Sequence, residues 1–176
     1  MEFEQVKSEL LELAKKANAC DRGYNEAENA ETFGELLDII VDNIGWCIGR
    51  KIATARNLKK WFNSTSLNAR NVFISGKHQL DIVTKPNVID TIIILGRSYA
   101  NIIARDNSKI IVILGESGKA DIQMRDRSYG AIVGHNKSEA TVVALHKSST
   151  QIRQIDDSII NTKKLHEASN IILSKG

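Results

Sequence analysis

The sequence has little of what usually fills or interrupts a globular chain. It holds one proline, Pro86, and its aromatic residues come to 5% of 176 positions. That leaves no material for a core of packed rings, so any interior must be built from Ile, Val, Ala and Gly in close columns. The two cysteines, Cys20 and Cys47, are expected to be reduced and buried rather than joined. No run approaches the ~18 apolar residues of a membrane span. The start of the chain is acidic and amphipathic, with no basic segment leading into an apolar run, so no secretory signal is evident there and a soluble, cytoplasmic protein is expected.

What is present is a period. An aliphatic residue stands at every tenth position from Val72 to Ile152: Val72, Ile82, Ile92, Ile102, Val112, Ile122, Ile132, Val142 and Ile152. The even positions on either side, such as Ile94, Ala104, Leu114, Met124, Gly134 and Ala144, are small or apolar too, so a two-residue alternation is nested inside the ten-residue repeat. Ser98, Ser108, Ser117, Ser128, Ser138, Ser148 and Ser158 fall between the runs, in Gly/Asp/Asn/Ser clusters that supply bends. Alternation with regular bends predicts a right-handed, single-stranded β-helix (a solenoid) of ten-residue units, each inward side chain stacked on its equivalent in the next coil. Two units per coil give a two-sided coil of about twenty residues, and three give a triangular prism.

Before the repeats the pattern is helical. Phe3, Val6, Leu10, Leu13, Ala14 and Ala17 predict a helix over 2–19, ended at Asp21-Arg22-Gly23. Thr32-Phe33-Gly34-Glu35 reads as a capping box opening a second helix, whose stripe runs unbroken from Phe33 to Ile48. A third helix near Thr54 carries Leu58, Trp61 and Phe62, the last two as candidate plug of the first coil. The expected division is a helical head and cap over 1–62, repeats over 63–162 and a C-terminal cap over 163–176, anchored by Ile171, Ile172 and Leu173.

Two surface features point to contacts. Phe73, Val83, Ile93, Ile103, Ile113, Val133 and Val143 form a second apolar column where alternation predicts outward side chains. In a two-sided coil this column splits, Ile113 and Val133 falling on one sheet and Ile103 and Val143 on the other; the head helices can cover one of them. The charge is also lopsided: residues 1–50 carry a net −6 and the remainder +9. Arg97, Arg105, Lys109, Lys119, Arg125, Arg127, Lys137, Lys147 and Arg153 lie in or beside bends stacked ~4.8 Å apart. They form a candidate ridge for phosphates, to which Tyr99 and Tyr129 add stacking, unless Asp106, Asp121 and Asp126 neutralise them.

Motifs for chemistry are weak. Gly115-Glu116-Ser117-Gly118-Lys119 resembles part of a phosphate-binding loop, but Ile113 stands where the first glycine belongs, Ala120 replaces the Ser/Thr, and a strand must follow rather than a helix, so it is read as a turn. His78, His135, His146 and His166 lack metal-ligand spacing, so no metal or other cofactor is expected. No catalytic triad or carboxylate pair can be assembled.

Cys20-Asp21-Arg22-Gly23 and Ile44-Gly45-Trp46-Cys47-Ile48-Gly49-Arg50 in a helical head, followed by Asp-x-Ser-style ten-residue repeats, resemble uncharacterised β-helix proteins of phages and mobile elements in Bacteroidetes-type bacteria. The resemblance implies the fold and a mobile-element setting and carries no catalytic residues. By analogy with small phage proteins that block host complexes, the expected role is a non-enzymatic inhibitor in the host cytoplasm. It would bind a host protein or protein–nucleic acid complex, such as a CRISPR nuclease, with no membrane or small-molecule substrate. The alternative is a structural, self-assembling or homodimeric β-helix; an enzyme stands third.

Overall fold

A computed structural model of the chain describes residues 1–83, 85, 88–165 and 170–175. The chain divides into two compact units, Met1–Arg70 and Asn71–Gly176.

The first unit holds six helices: α1 (Phe3–Lys16), α2 (Asp21–Asn29), α3 (Phe33–Asp42), α4 (Ile44–Gly49), α5 (Ala55–Trp61) and α6 (Ser64–Asn68). Helix α1 buries Val6, Leu10 and Ala14, a stripe at four-residue spacing. Asp21-Arg22-Gly23 opens a helix instead of closing one. Asp21 sits in the first turn of α2, where the helix dipole favours a carboxylate, and Arg22 pairs with Glu26 one turn on at 2.8 Å. The Thr32 hydroxyl accepts from the Glu35 amide at 3.2 Å as expected, but the Glu35 carboxylate accepts from Glu31 N rather than Thr32 N. The stripe expected as one helix to Ile48 breaks at Asn43, whose side-chain amide donates to the Ile39 carbonyl, and α4 starts beyond it. Thr54 caps α5 through Asn57 N, and Asn63 caps α6 through Ser66 N. Residues 63–68 thus belong to the head rather than to the repeats, and the boundary falls at 70/71 instead of 62/63. Trp61 and Phe62 are both buried, and they stack edge to face with each other and on to Phe33 and Phe3.

The second unit is a β-solenoid of about five turns built from parallel strands: β1 (Val72–Ile82), β2 (Asp90–Ala104), β3 (Lys109–Leu114), β4 (Lys119–Met124), β5 (Tyr129–Gly134), β6 (Glu139–Ala144), β7 (Ser149–Gln154), β8 (Ile159–Lys164) and β9 (Asn170–Lys175). The sheet order β8-β6-β4-β2-β3-β5-β7-β9 fixes the coil as two-sided. Odd strands from β3 stack on the first half of β2, and even strands stack on its second half. Strand β2 turns the corner at Gly96, φ 64°, and so belongs to both faces. From β2 to β8 each coil takes twenty residues, as in Ile102↔Ile122↔Val142 and Val112↔Ile132↔Ile152, and the step from β7 to β9 takes one more, Ile152↔Leu173.

The core follows the alternation. Ile92, Ile102, Val112, Ile122, Ile132, Val142 and Ile152 all point inward and are buried. Inward Gly130 leaves room for Met124: a Cβ there would lie 2.8 Å from the Met124 methyl. The decade register fails in the first coil. Val72 pairs with Ile93 and Ile82 with Ala104, offsets of 21 and 22. The change from one to the other falls at an irregularity between Phe73 and Ser75, next to Gly76 with its positive φ, which switches the inward side from Phe73 to the even residues Leu80 and Ile82. Phe73 is therefore a core residue rather than an outer one, and Val83 lies beyond the end of β1. The tail 163–176 contains β9, which pairs with β7, so it adds a strand to the sheet.

The bends are made by the sixth residue of each unit: Asp106, Glu116, Asp126, Asn136, His146 and Asp156 have φ 56–58°. The serines are buried beside them instead. Ser98 donates to a carbonyl, with Phe73 O at 3.0 Å and Leu95 O at 2.6 Å, and Ser158 to Gly134 O at 3.0 Å. In the third such turn Gly118 takes the serine's place and Ser117 is exposed.

His135 occupies the position filled by Leu95, Gly115 and Ile155 in the other turns of the same edge, and it is 6% exposed. Its Nδ1 has no hydrogen-bond partner, and burial pushes its pKa below the ordinary imidazole value, against a smaller opposing pull from Asp156. The unfolded chain therefore binds the extra proton more readily, and folding stability contributed by neutral His135 is lost as pH falls through ~6.5. His135→Leu should raise the melting temperature and reduce its fall between pH ~7 and ~5. Thermal melts across that range check this, and an unchanged slope would count against it.

Candidate interaction edge of the solenoid

A two-sided coil has two edges where its turns stack. Turns 105–108, 125–128 and 145–148 lie on one edge, and 95–98, 115–118, 135–138 and 155–158 on the other. From 105–108 onward each turn closes with a bond from its serine or glycine amide to the carbonyl three residues back, for example Ser128 N to Arg125 O at 3.0 Å and Gly118 N to Gly115 O at 3.0 Å. Neighbouring coils are also tied through side chains: Asp126 N donates to His146 Nδ1 at 3.4 Å, and Asn136 N to Asp156 Oδ2 at 3.3 Å.

This topology sorts the candidate residues. Arg105, Lys109, Arg125, Arg127, Tyr129 and Lys147 gather on the first edge, Tyr129 directly beside Lys109 in the ladder. Arg97 and Lys137 lie on the opposite edge, among Glu116, Asp156 and Asp157. Lys119 and Tyr99 sit on the even-strand face, and both are engaged: Lys119 Nζ donates to Glu139 at 2.7 Å and the Tyr99 hydroxyl to Asp121 at 2.5 Å. Asp121 raises the phenol's pKa, keeping it a donor. Arg153 stands on the odd-strand face above Val133.

On the first edge, neutralisation is partial. Arg105 forks onto Asp81 at 2.9 and 3.0 Å and reaches Asp106 at 3.4 Å, holding Asp81 below the usual carboxylate range. Arg125 donates to Gln123 at 2.5 Å. Arg127 and Lys147, one coil apart, are exposed and make no ion pair among the described residues. Two further cations escaped the sequence reading: Lys163 and Lys164 end β8 beside the same edge, one coil above Val143 and Ala144. Their signal was the twenty-residue spacing, which is invisible until the coil is known to be two-sided. The edge thus carries seven cations, Lys163 and Lys164 included, against Asp81, Asp90, Asp106 and Asp126. It is positive on balance.

The outer apolar residues also separate. Ile93, Ile113 and Val133 are continuous on the odd-strand face, with Ile93 fully buried and the other two half-buried. Ile103 and Val143 on the even face are interrupted by Gln123.

Residues 115–118 form the turn between β3 and β4 and Lys119 opens β4, a turn followed by a strand as read from the motif's mismatches. The histidines are scattered: His78 bonds Ser75 O and stacks on Phe73, His135 is buried in a turn, and His146 is on the basic edge; His166 lies outside the described residues. In the head, Cys20 and Gly23 from one motif and Trp46 and Cys47 from the other line a common, mainly apolar cavity of about 340 Å³. Both thiols are free. Cys20 is exposed, contrary to expectation, whereas burial pushes the Cys47 thiol up to about 12. Among the described residues no helix is long and apolar enough to cross a membrane.

Comparison with protein-family models, curated proteins and solved structures finds no match. Fold and site together define a β-solenoid protein with a helical N-terminal region and one basic edge.

Proposed function

We propose that the chain is a non-enzymatic interaction protein that presents the basic edge of its solenoid to an anionic partner surface, in the first place RNA within a protein–nucleic acid complex. The observation that carries this reading is the stack of Arg125, Arg127 and Lys147 beside exposed Tyr129, with Lys163 and Lys164 on the next coil. Stacking at ~4.8 Å per coil sets cations of successive coils close enough together to reach several phosphates of one strand at once. In a phage or mobile-element setting, such contact would serve to occupy a host defence complex of the CRISPR type.

The test is binding of a single-stranded RNA oligonucleotide across a salt series. Arg127→Ala and Lys147→Ala should each weaken binding and lower the slope of log K against log salt by about one. Lys137→Ala, on the opposite edge, should leave both unchanged. A double variant with wild-type affinity would remove the edge from the account. Pull-down from host cells with and without nuclease then separates RNA-dependent capture from protein contact.

A second reading, assembly of solenoids with one another, is favoured by a different observation: Ile159, Leu165, Ile172 and Leu173 on the last coil are about half exposed.

A further inference from the structure

Strand β9 ends the sheet order, and among the described residues nothing pairs with its outer edge. Its ladder with β7 sets Ile171 on Thr150 and Leu173 on Ile152, so these two take inward positions and Ile172 an outward one. Ile92, Val112, Ile132 and Ile152 in the same inward column are at most 2% exposed, yet Leu173 is 49% exposed and Ile172 52%. Leu173 has the place of a core residue without the next coil to cover it. The strand, Asn170-Ile171-Ile172-Leu173-Ser174-Lys175, has no proline and one terminal charge, and so lacks most of the devices that blunt an edge.

We propose that β9 pairs with β9 of a second copy, antiparallel and centred on Ile172, closing a two-fold dimer at this end of the solenoid. Two-fold symmetry sets the same edge against itself, and a strand paired with its own copy about an axis perpendicular to it runs antiparallel. In such a pair, directly opposite residues share a face, so inward side chains must meet inward ones. Centring on Ile172 meets this condition. Ile171 faces Leu173 of the second copy, Leu173 faces its Ile171, the two Ile172 side chains meet at the axis, and Asn170 faces Ser174. Centring on Leu173 would set Ile171 against Lys175 instead. The chosen register also holds the two Lys175 side chains roughly 20 Å apart, six residues at ~3.4 Å each, well beyond the ~8 Å screening length at physiological salt.

This deepens the assembly reading and is independent of the basic edge. Sedimentation of the full chain over rising concentration should show a species of twice 19.5 kDa that Ile172→Lys abolishes while the far-UV spectrum is retained. In a Cys20→Ser background, Ile172→Cys should form an intermolecular disulfide on mild oxidation. Asn170→Cys alone should not, but it should cross-link when mixed with Ser174→Cys. A dimer that survives Ile172→Lys, or Asn170→Cys cross-linking to itself as readily as Ile172→Cys, overturns the β9 pairing and leaves assembly through another face. A monomer at every concentration, with no cross-link from any variant, overturns both.

Discussion

Gly118→Ser should cost about 3 kcal/mol, although it writes into the turn the residue that six other turns carry at that place. A Cβ on Gly118 would stand 2.4 Å from the Ile94 carbonyl oxygen, 2.9 Å from its carbon and 3.1 Å from Gly115 O. All three are backbone atoms, so no rotamer change relieves the contact. The Ile94 carbonyl is also held in place, since it accepts the Gly115 amide of the next coil at 3.0 Å. Moving it away means parting two coils at the corner where β2 bends through Gly96. At roughly 2–4 °C per kcal/mol for a chain of this size, the melting temperature should fall by about 6–12 °C. Ser138→Gly, the reverse change one coil further along the same edge, should cost only the ~0.5–1 kcal/mol of added backbone freedom. Equal melting temperatures for Gly118→Ser and the wild type would show that the corner yields freely, contrary to this packing.

The same corner explains why the sequence is legible in some places and opaque in others. Alternation along Ile92-Ile93-Ile94 or Val112-Ile113-Leu114 reports which side chains are buried, since a two-residue period leaves one face inward whatever the coil's outline. It does not report the outline. Units of both faces share the same ten-residue pattern, so nothing local to a turn says which edge it joins. The twenty-residue coil is written only between distant residues, in pairs such as Lys119 with Glu139 and Asn136 with Asp156. For that reason a ridge of nine cations read along the chain divides into a basic edge, a mixed edge and two faces. In the first coil one irregularity after Phe73 turns an outer position into a core one, a change of phase that the ten-residue pattern does not carry. In the head, Gly23 carried the weight of a stop signal, but a helix tolerates glycine where an acidic first turn and an Arg22–Glu26 pair support it. Asn43 gave no warning: the bond from its side chain to the Ile39 carbonyl, which marks the break, becomes visible only in three dimensions.

Because each coil touches only its neighbours, the core should respond to truncation with a defined range. Ile132 is fully buried between Val112 and Ile152 in one inward column. Ile132→Ala should cost about 2–5 kcal/mol, toward the upper end, because the ladder holds the coils ~4.8 Å apart and prevents collapse into the void. Removing Ile152 as well should cost less than the sum of the two single changes, since both side chains line the same cavity. Ile92 stands two coils away, roughly 10 Å, and Ile92→Ala should add to Ile132→Ala within about 0.5 kcal/mol. Urea unfolding of the three single and two double variants measures these terms directly. Additivity in both pairs would mean that adjacent coils do not share their cavities. Strong coupling in both would mean that the solenoid unfolds as one rigid stack, in which a void is felt over two coils, and the nearest-neighbour description of its stability would fail.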